Sequence, residues 1–157
     1  MKIADVANGF LAHRRVAVTG VSHAATDHGA NVVYKRFRER GYEVFAVNPN
    51  ADEVEGDTAY PSLAAIPGGV EAVVLDTAPA HTLDTIRECI ELGIAWVWFH
   101  HGPGPGSSNP EAAALGRDAG LTVIEGGCPC MFGETADMGH KLMRPFLKLS
   151  GTVPRTV

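Results

Sequence analysis

Apolar residues follow two rhythms along this chain. Ile3, Val6, Ala7, Phe10 and Leu11 recur at i, i+3, i+4, i+7 and i+8, which predicts an amphipathic helix over 2–12. RRVAVTG (14–20) is a short apolar run closed by glycine, the form of a buried parallel strand entering a turn. ANVVYKRFRERG (30–41) returns to helical spacing, with Val33 and Phe37 on one face and Gly41 as its stop. YEVFAVNP (42–49) is a second strand, broken by Pro49. SLAAIPGG reads as one helical turn capped by Ser62.

The same alternation continues. EAVVLDTAP (71–79), AWVWFHHG (95–102) and LTVIEGG (121–127) read as three further strands. Between them lie a helix over 79–93, with Pro79 in its first turn and Gly93 after its end, and a helix over 109–120 capped by Asn109. The segment 134–150 is helical but carries Pro145, so a kink or two pieces are expected.

Strands alternating with helices of this length mean βαβ units. The fold class is therefore α/β: a three-layer, Rossmann-like, doubly wound domain with a mainly parallel sheet of about five strands. An N-terminal helix and a C-terminal helical tail complete it. A single domain is expected over 1–150, with 151–157 a loose, flexible tail. Ligands of such sheets sit beyond the carboxyl ends of the strands, which singles out loops 20–30, 48–56, 76–81, 100–108 and 126–134.

Composition narrows the partners. A net charge of −5 over 157 residues argues against nucleic acid or an anionic membrane, both of which need a concentrated basic face. A small anion needs only a few backbone amides and one helix end. Three cysteines, Cys89, Cys128 and Cys130, cannot all pair within the chain, which points to reduced thiols and a cytoplasmic setting. Neither a signal peptide nor a membrane span is read from the sequence. The pattern is compatible with a monomer or a homodimer.

Candidate chemistry lies in the loops. GVSHAATDHGAN (20–31) places glycines and Ser22 between strand and helix, where N–H groups can meet a phosphate. It is neither G-x-G-x-x-G nor a Walker A, and the plainer reading is an ordinary turn that uses Gly20 for a positive φ, with Asp27 as a cap. At 48–49, where an NAD protein carries an acid for the ribose diol, the chain has Asn48 and Pro49. His100 and His101 end a strand and should point to opposite faces, one packed and one at the ligand mouth or in solvent. The Gly-Pro repeat that follows reads as a mobile lid or spacer.

GGCPCMFGE (126–134) holds C-x-C, not the C-x-x-C of zinc ribbons or thioredoxins. A metal set of Cys128, Cys130, His100 and His140 is the less favoured reading. Met131, Phe132, Met138, Met143, Phe146 and Leu147 read as packing for the tail helix. Glu125 and Glu134 read as caps or solvated acids before general bases, and no catalytic pair or triad is evident.

In order and spacing, VAVTGVS (16–22), GYEVFAVNPN (41–50), YPSLAAIPGGVEAVVL (60–75), ECIELGIAWVWFHHG (88–102) and EAAALGRDAGLTVIEGGCP (111–129) resemble the CoA-binding domain family. These are small Rossmann-like proteins similar to the nucleotide-binding domain of succinyl-CoA synthetase alpha subunits. The resemblance spans roughly residues 8–130 and implies coenzyme A or an acyl-CoA as ligand. It implies Gly20, Val21 and Ser22 in the phosphate loop, with Asn31 and Lys35 at the entrance of the next helix. Asn48 and Pro49 would wall the nucleotide, Thr77, Ala78 and Pro79 would meet the pantetheine or pyrophosphate, and Cys128-Pro129 matches a family Cys-Pro. His101 is the histidine taken toward the ligand.

The first loop departs from the family: His23 and His28 stand where Arg or Lys is common, leaving Arg14, Lys35 and Arg36 as cations that could compensate. The leading expectation is a non-catalytic binding protein for a small-molecule nucleotide. The alternatives are thioester chemistry at Cys128, an NAD(P)-linked oxidoreductase, and a metal or docking role for the tail. Ser22→Ala with Gly20→Val is expected to abolish binding and leave the fold intact.

Overall fold

The computed structural model describes residues 1–24, 29–102, 106–154 and 156–157. Its elements run α1 (Ile3–Leu11), β1 (Arg15–Thr19), α2 (Ala30–Glu39), β2 (Glu43–Val47), β3 (Glu53–Val54), β4 (Asp57–Tyr60), β5 (Ala72–Leu75), α3 (Pro79–Leu92), β6 (Trp96–Phe99), α4 (Pro110–Asp118), β7 (Thr122–Glu125) and α5 (Met138–Leu149). The sheet order is β3-β4-β2-β1-β5-β6-β7. All neighbours pair in parallel except β3 with β4. Leaving out β3, the six parallel strands fall in the doubly wound order 3-2-1-4-5-6.

Strand alternation feeds two cores, one on each face of the sheet. Val16, Val18, Val74, Trp98 and Ile124 join α1, α2 and the 128–132 segment in one. Ala17, Val73, Leu75, Val97, Phe99 and Val123 join α3 and α4 in the other. Trp98 anchors the first, with Phe10 edge-on at 5.3 Å and its indole N–H donated to the Gly126 carbonyl at 3.0 Å. The capping signals act as expected: Asn109 accepts from the Glu111 and Ala112 amides, and Gly93 closes α3 in the left-handed conformation.

Three expectations need correction. Among the described residues the sheet has seven strands, not about five, because 53–60 forms a hairpin whose turn residues Glu55 (φ 49°) and Gly56 (φ 80°) both take positive φ. That is the two-residue hairpin geometry usually announced by Asn-Gly or Asp-Gly, and Glu-Gly hides it. The segment from Ser62 is a series of turns, not a helical turn, with Leu63 and Ile66 buried. Of the two forms expected for the tail, two pieces is excluded: one helix runs through Pro145, starting at Met138 after two short 3-10 turns at Pro129–Met131 and Gly133–Thr135.

The tail also divides differently from the packing expected of it. Met131 and Phe132 are buried in the core, whereas Met138, Leu142, Phe146 and Leu149 are 64–80% exposed. Of α5 itself, no residue is fully buried. The terminal segment, expected to be loose, returns to the body. Thr152 accepts from the Gly127 amide at 2.8 Å, Val153 is 1% exposed, and Lys2 bridges to Thr156.

Candidate functional site

At the reversal of strand order, the chains leaving two neighbouring strands turn to opposite faces and open a crevice. Here that point lies between β1 and β5. A cleft of about 500 Å³ opens there, lined by Thr19 and Gly20 at the end of β1, Val47 to Asn50 at the end of β2 and Thr77 after β5. Pro61, Ser62 and Leu63 form a further wall, and His81, Thr85 and Glu88 of α3 close the far side.

The rim is held by side chains that bind neighbouring backbone. Asn31, 2% exposed, accepts from the Ser22 amide at 2.9 Å and donates to the Ser22 carbonyl at 3.0 Å and to Glu55 Oε1 at 2.7 Å. Asn48 donates from Nδ2 to the Val21 carbonyl at 2.8 Å, while its Oδ1 accepts from the Asn50 amide at 2.8 Å. The Asp76 amide donates to Thr19 Oγ1 at 3.3 Å, and Gly20 donates to the Val47 carbonyl at 3.2 Å. Asn48 is thus a brace between two loops, with both ends of its amide engaged.

Gly20 has no alternative. Its φ is 80°, and a Cβ there would sit 2.5 Å from the Asp76 carbonyl oxygen. The expectation that Gly20→Val spares the fold does not fit this packing, because the added Cβ meets backbone directly after β5.

Of the residues expected at the site, Gly20, Ser22, Asn48, Pro49 and Thr77 line the cleft. Val21 is buried in the core behind the loop, and Asn31 lies beneath Ser22. Lys35 lies 3.8 Å from Glu55. Ala78 and Pro79 start α3 and are exposed without lining the cleft. His101, Cys128 and Pro129 are not among its described lining residues: His101 bridges to Gly127, and Cys128 and Pro129 are buried on the Trp98 side of the sheet.

Sequence reasoning missed the wall at 61–63, because the strand that leads into it was not recognised. It also missed the α3 face, although His81, Thr85 and Glu88 recur at i, i+4 and i+7.

No Lys or Arg is among the described lining residues. The cations expected to compensate are engaged elsewhere. Arg14 stacks 4.0 Å over the Tyr42 ring and pairs with Glu134, at the opposite end of β1, and Arg36 pairs with Asp137 at 2.9 Å. Asp27 and His28 lie outside the described residues, as does 103–105 of the expected lid. Of that lid, Ser107 is fully buried, donating to the Leu75 carbonyl at 2.7 Å. Two features favour a polar ligand. Thr77 Oγ1 is buried without a partner, and α2 begins at Gly29 with no side-chain cap, both among the described residues.

Two polar clusters lie outside the cleft. His100, 7% exposed, meets Asp76 Oδ1 through Nδ1 at 2.9 Å, and Asp76 Oδ2 is buried without a described partner. His100 is thus the packed member of the histidine pair. Behind β7, the ligand atoms of Cys128, Cys130 and His140 lie within 4.8 Å of one another, and His100 is not part of that group. Burial, and then a hydrogen bond with Cys130, push the Cys128 thiol well above its usual range. The two acids considered as bases are paired: Glu125 with Arg117 at 2.6 Å, and Glu134 with Arg14 and the Tyr42 hydroxyl.

The sequence pattern described as "CoA binding domain" matches residues 14–134. The chain is similar to the uncharacterized protein YneT of Bacillus subtilis, at 31% identity over 71% of this chain and 78% of that one. It is 34% identical to the acetate–CoA ligase [ADP-forming] II subunit alpha of Pyrococcus furiosus over 56% of this chain, which amounts to 19% of that subunit. In three dimensions it is similar to Prb, the PH1109 protein redesigned for binding, with a TM-score of 0.72 and 31% identity over 94% of this chain and 91% of that one. With the match covering most of its length and the cleft at the switch point of its sheet, the chain belongs to the CoA-binding domain family.

Proposed function

We propose that the protein binds coenzyme A or an acyl-CoA in the cleft between the ends of β1, β2 and β5, as a binding protein without chemistry of its own. The observation that carries this reading is the lining itself. Thr19, Gly20, Ser22 and Thr77 give the cleft a polar lining for a pyrophosphate, and apolar walls from Val47, Pro49, Pro61 and Leu63 suit a pantetheine arm. Such a site holds phosphate by geometry, since no described lining side chain supplies a fixed positive charge.

The same lining disfavours a dinucleotide. Asn48 stands where a ribose diol needs an acid, and its own acceptor is taken by Asn50. Thioester chemistry at Cys128 has no support from the geometry: the residue is 3% exposed and does not line the cleft.

Titration calorimetry with CoA, acetyl-CoA, NAD and NADP tests the proposal. CoA or acetyl-CoA should bind with one site per chain and raise the melting temperature, while NAD should do neither. Stabilisation by NAD without stabilisation by CoA overturns it.

A further inference from the structure

We propose that Cys128, Cys130 and His140 form a binding site for a zinc-class divalent cation, which ties α5 to the loop after β7. The donor atoms lie within 4.8 Å of one another. In a tetrahedral zinc site, thiolate sulfurs and an imidazole nitrogen are about 3.6–3.8 Å apart, given bonds of about 2.3 Å to sulfur and 2.0–2.1 Å to nitrogen. Closing the remaining gap takes rotamer adjustment, not a change of fold. Two soft sulfurs and one imidazole select zinc over magnesium or calcium, which prefer oxygen.

The surroundings are those of a metal-binding histidine. His140 Nδ1 lies 2.7 Å from Asp137 Oδ2, the carboxylate contact that orients a ligating imidazole and leaves its other ring nitrogen for a cation. Asp137 is itself oriented by Arg36 at 2.9 Å and accepts from the His140 amide at 2.8 Å. Charge also balances: two thiolates would neutralise the ion, and Asp137 and Arg36 neutralise each other. Three protein ligands leave a fourth tetrahedral position for water or a small ligand. Both cysteines are buried, and the His140 side chain, 20% exposed, gives the ion a route in.

The site also has work to do in the fold. Helix α5 has no fully buried residue and is held by Leu147 on the core, Arg36 on Asp137, and Arg144 4.4 Å over the Phe132 ring. A cation shared between His140 on α5 and the cysteines of the preceding loop adds a bond that side-chain packing there does not supply.

Co(II) and Zn(II) titrations of the full chain, metal-stripped and kept reduced by a phosphine, test the proposal. One equivalent of Co(II) should give a thiolate charge-transfer band and tetrahedral visible bands, both displaced by Zn(II). Zn(II) should slow amide exchange in 138–149. His140→Gln, on a partly exposed helix position, should keep the fold and lose the tetrahedral spectrum. Asp137→Asn should weaken binding by about 10- to 100-fold, the usual cost of losing such an orienting partner. Cys130→Ser should abolish the charge-transfer band, with circular dichroism checking its fold. Absence of a thiolate band in the wild-type protein, or an unchanged spectrum in His140→Gln, overturns the assignment. Because CoA titration reads the cleft and Co(II) spectra read this corner, either proposal can fail alone.

Discussion

The cleft and the corner beneath α5 are built on opposite principles. At the cleft, Asn31 and Asn48 commit their side-chain amides to neighbouring loop groups, and so fix the loops that shape the ligand space. At the corner, the side chains of Cys128, Cys130 and His140 converge on one another directly, and one of them rides on a helix with no buried residue. Removing a brace of the first arrangement disturbs the loops that carry it. The second can be altered by one substitution at a partly exposed helix position. Recognition and scaffold are thus closely joined in one region and separable in the other.

The sharpest way to break that contrast is Gly20→Val. A Cβ 2.5 Å from the Asp76 carbonyl, at φ 80°, should cost about 2–4 kcal/mol of stability, read by urea denaturation. A melt like that of the wild type would show that the loop yields after all.

Asn31→Ala comes next. It strands the Ser22 amide and carbonyl in a partly buried place and should cost about 1–3 kcal/mol, with CoA affinity falling alongside. Loss of affinity without loss of stability would make Asn31 a ligand contact and not a brace.

Thr77→Val separates the two effects within the cleft. Its hydroxyl has no described partner, so the near-isosteric valine should change stability by no more than about 0.5 kcal/mol. Calorimetry should show CoA binding weakened about 5- to 10-fold, the worth of one hydrogen bond.

The smallest effect lies on the sheet edge. Asp57 accepts from the Tyr34 hydroxyl and then from Arg38, and these bonds hold its carboxyl below the usual value of 3.8. A carboxyl depressed in the folded state stabilises fully above its unfolded value, and that contribution fades as pH falls through the folded one. Melting temperature should therefore drop below about pH 4 partly on account of Asp57. Asp57→Asn should flatten that part of the acid limb, and its half-exposed side chain keeps the effect small.

Much of the scaffold was legible because burial imposes period. Val16, Val18, Val73 and Val74 sit in short apolar runs that only a doubly covered sheet accommodates, and Asn109 and Gly93 mark helix ends by chemistry that acts locally. The 53–60 hairpin was not legible, since Glu55 takes a backbone conformation its residue type seldom adopts. Its loss hid the wall at 61–63, because a loop cannot be assigned to a sheet end before its strand is known. Asp76 was passed over for a related reason. Its pairing with His100 is made across the sheet, between residues 24 positions apart.

The sequence by itself determined the class of sheet, the chain order of most of its strands and helices, and the absence of an acid at Asn48. Each follows from local period or residue type. Only the tertiary structure decided which loop residues share the cleft, that Arg14 and Arg36 are engaged elsewhere, and that His140 joins Cys128 and Cys130 while His100 does not. Those outcomes depend on which strands become neighbours and on where a helix lies against them, and residue spacing along a chain carries no measure of either.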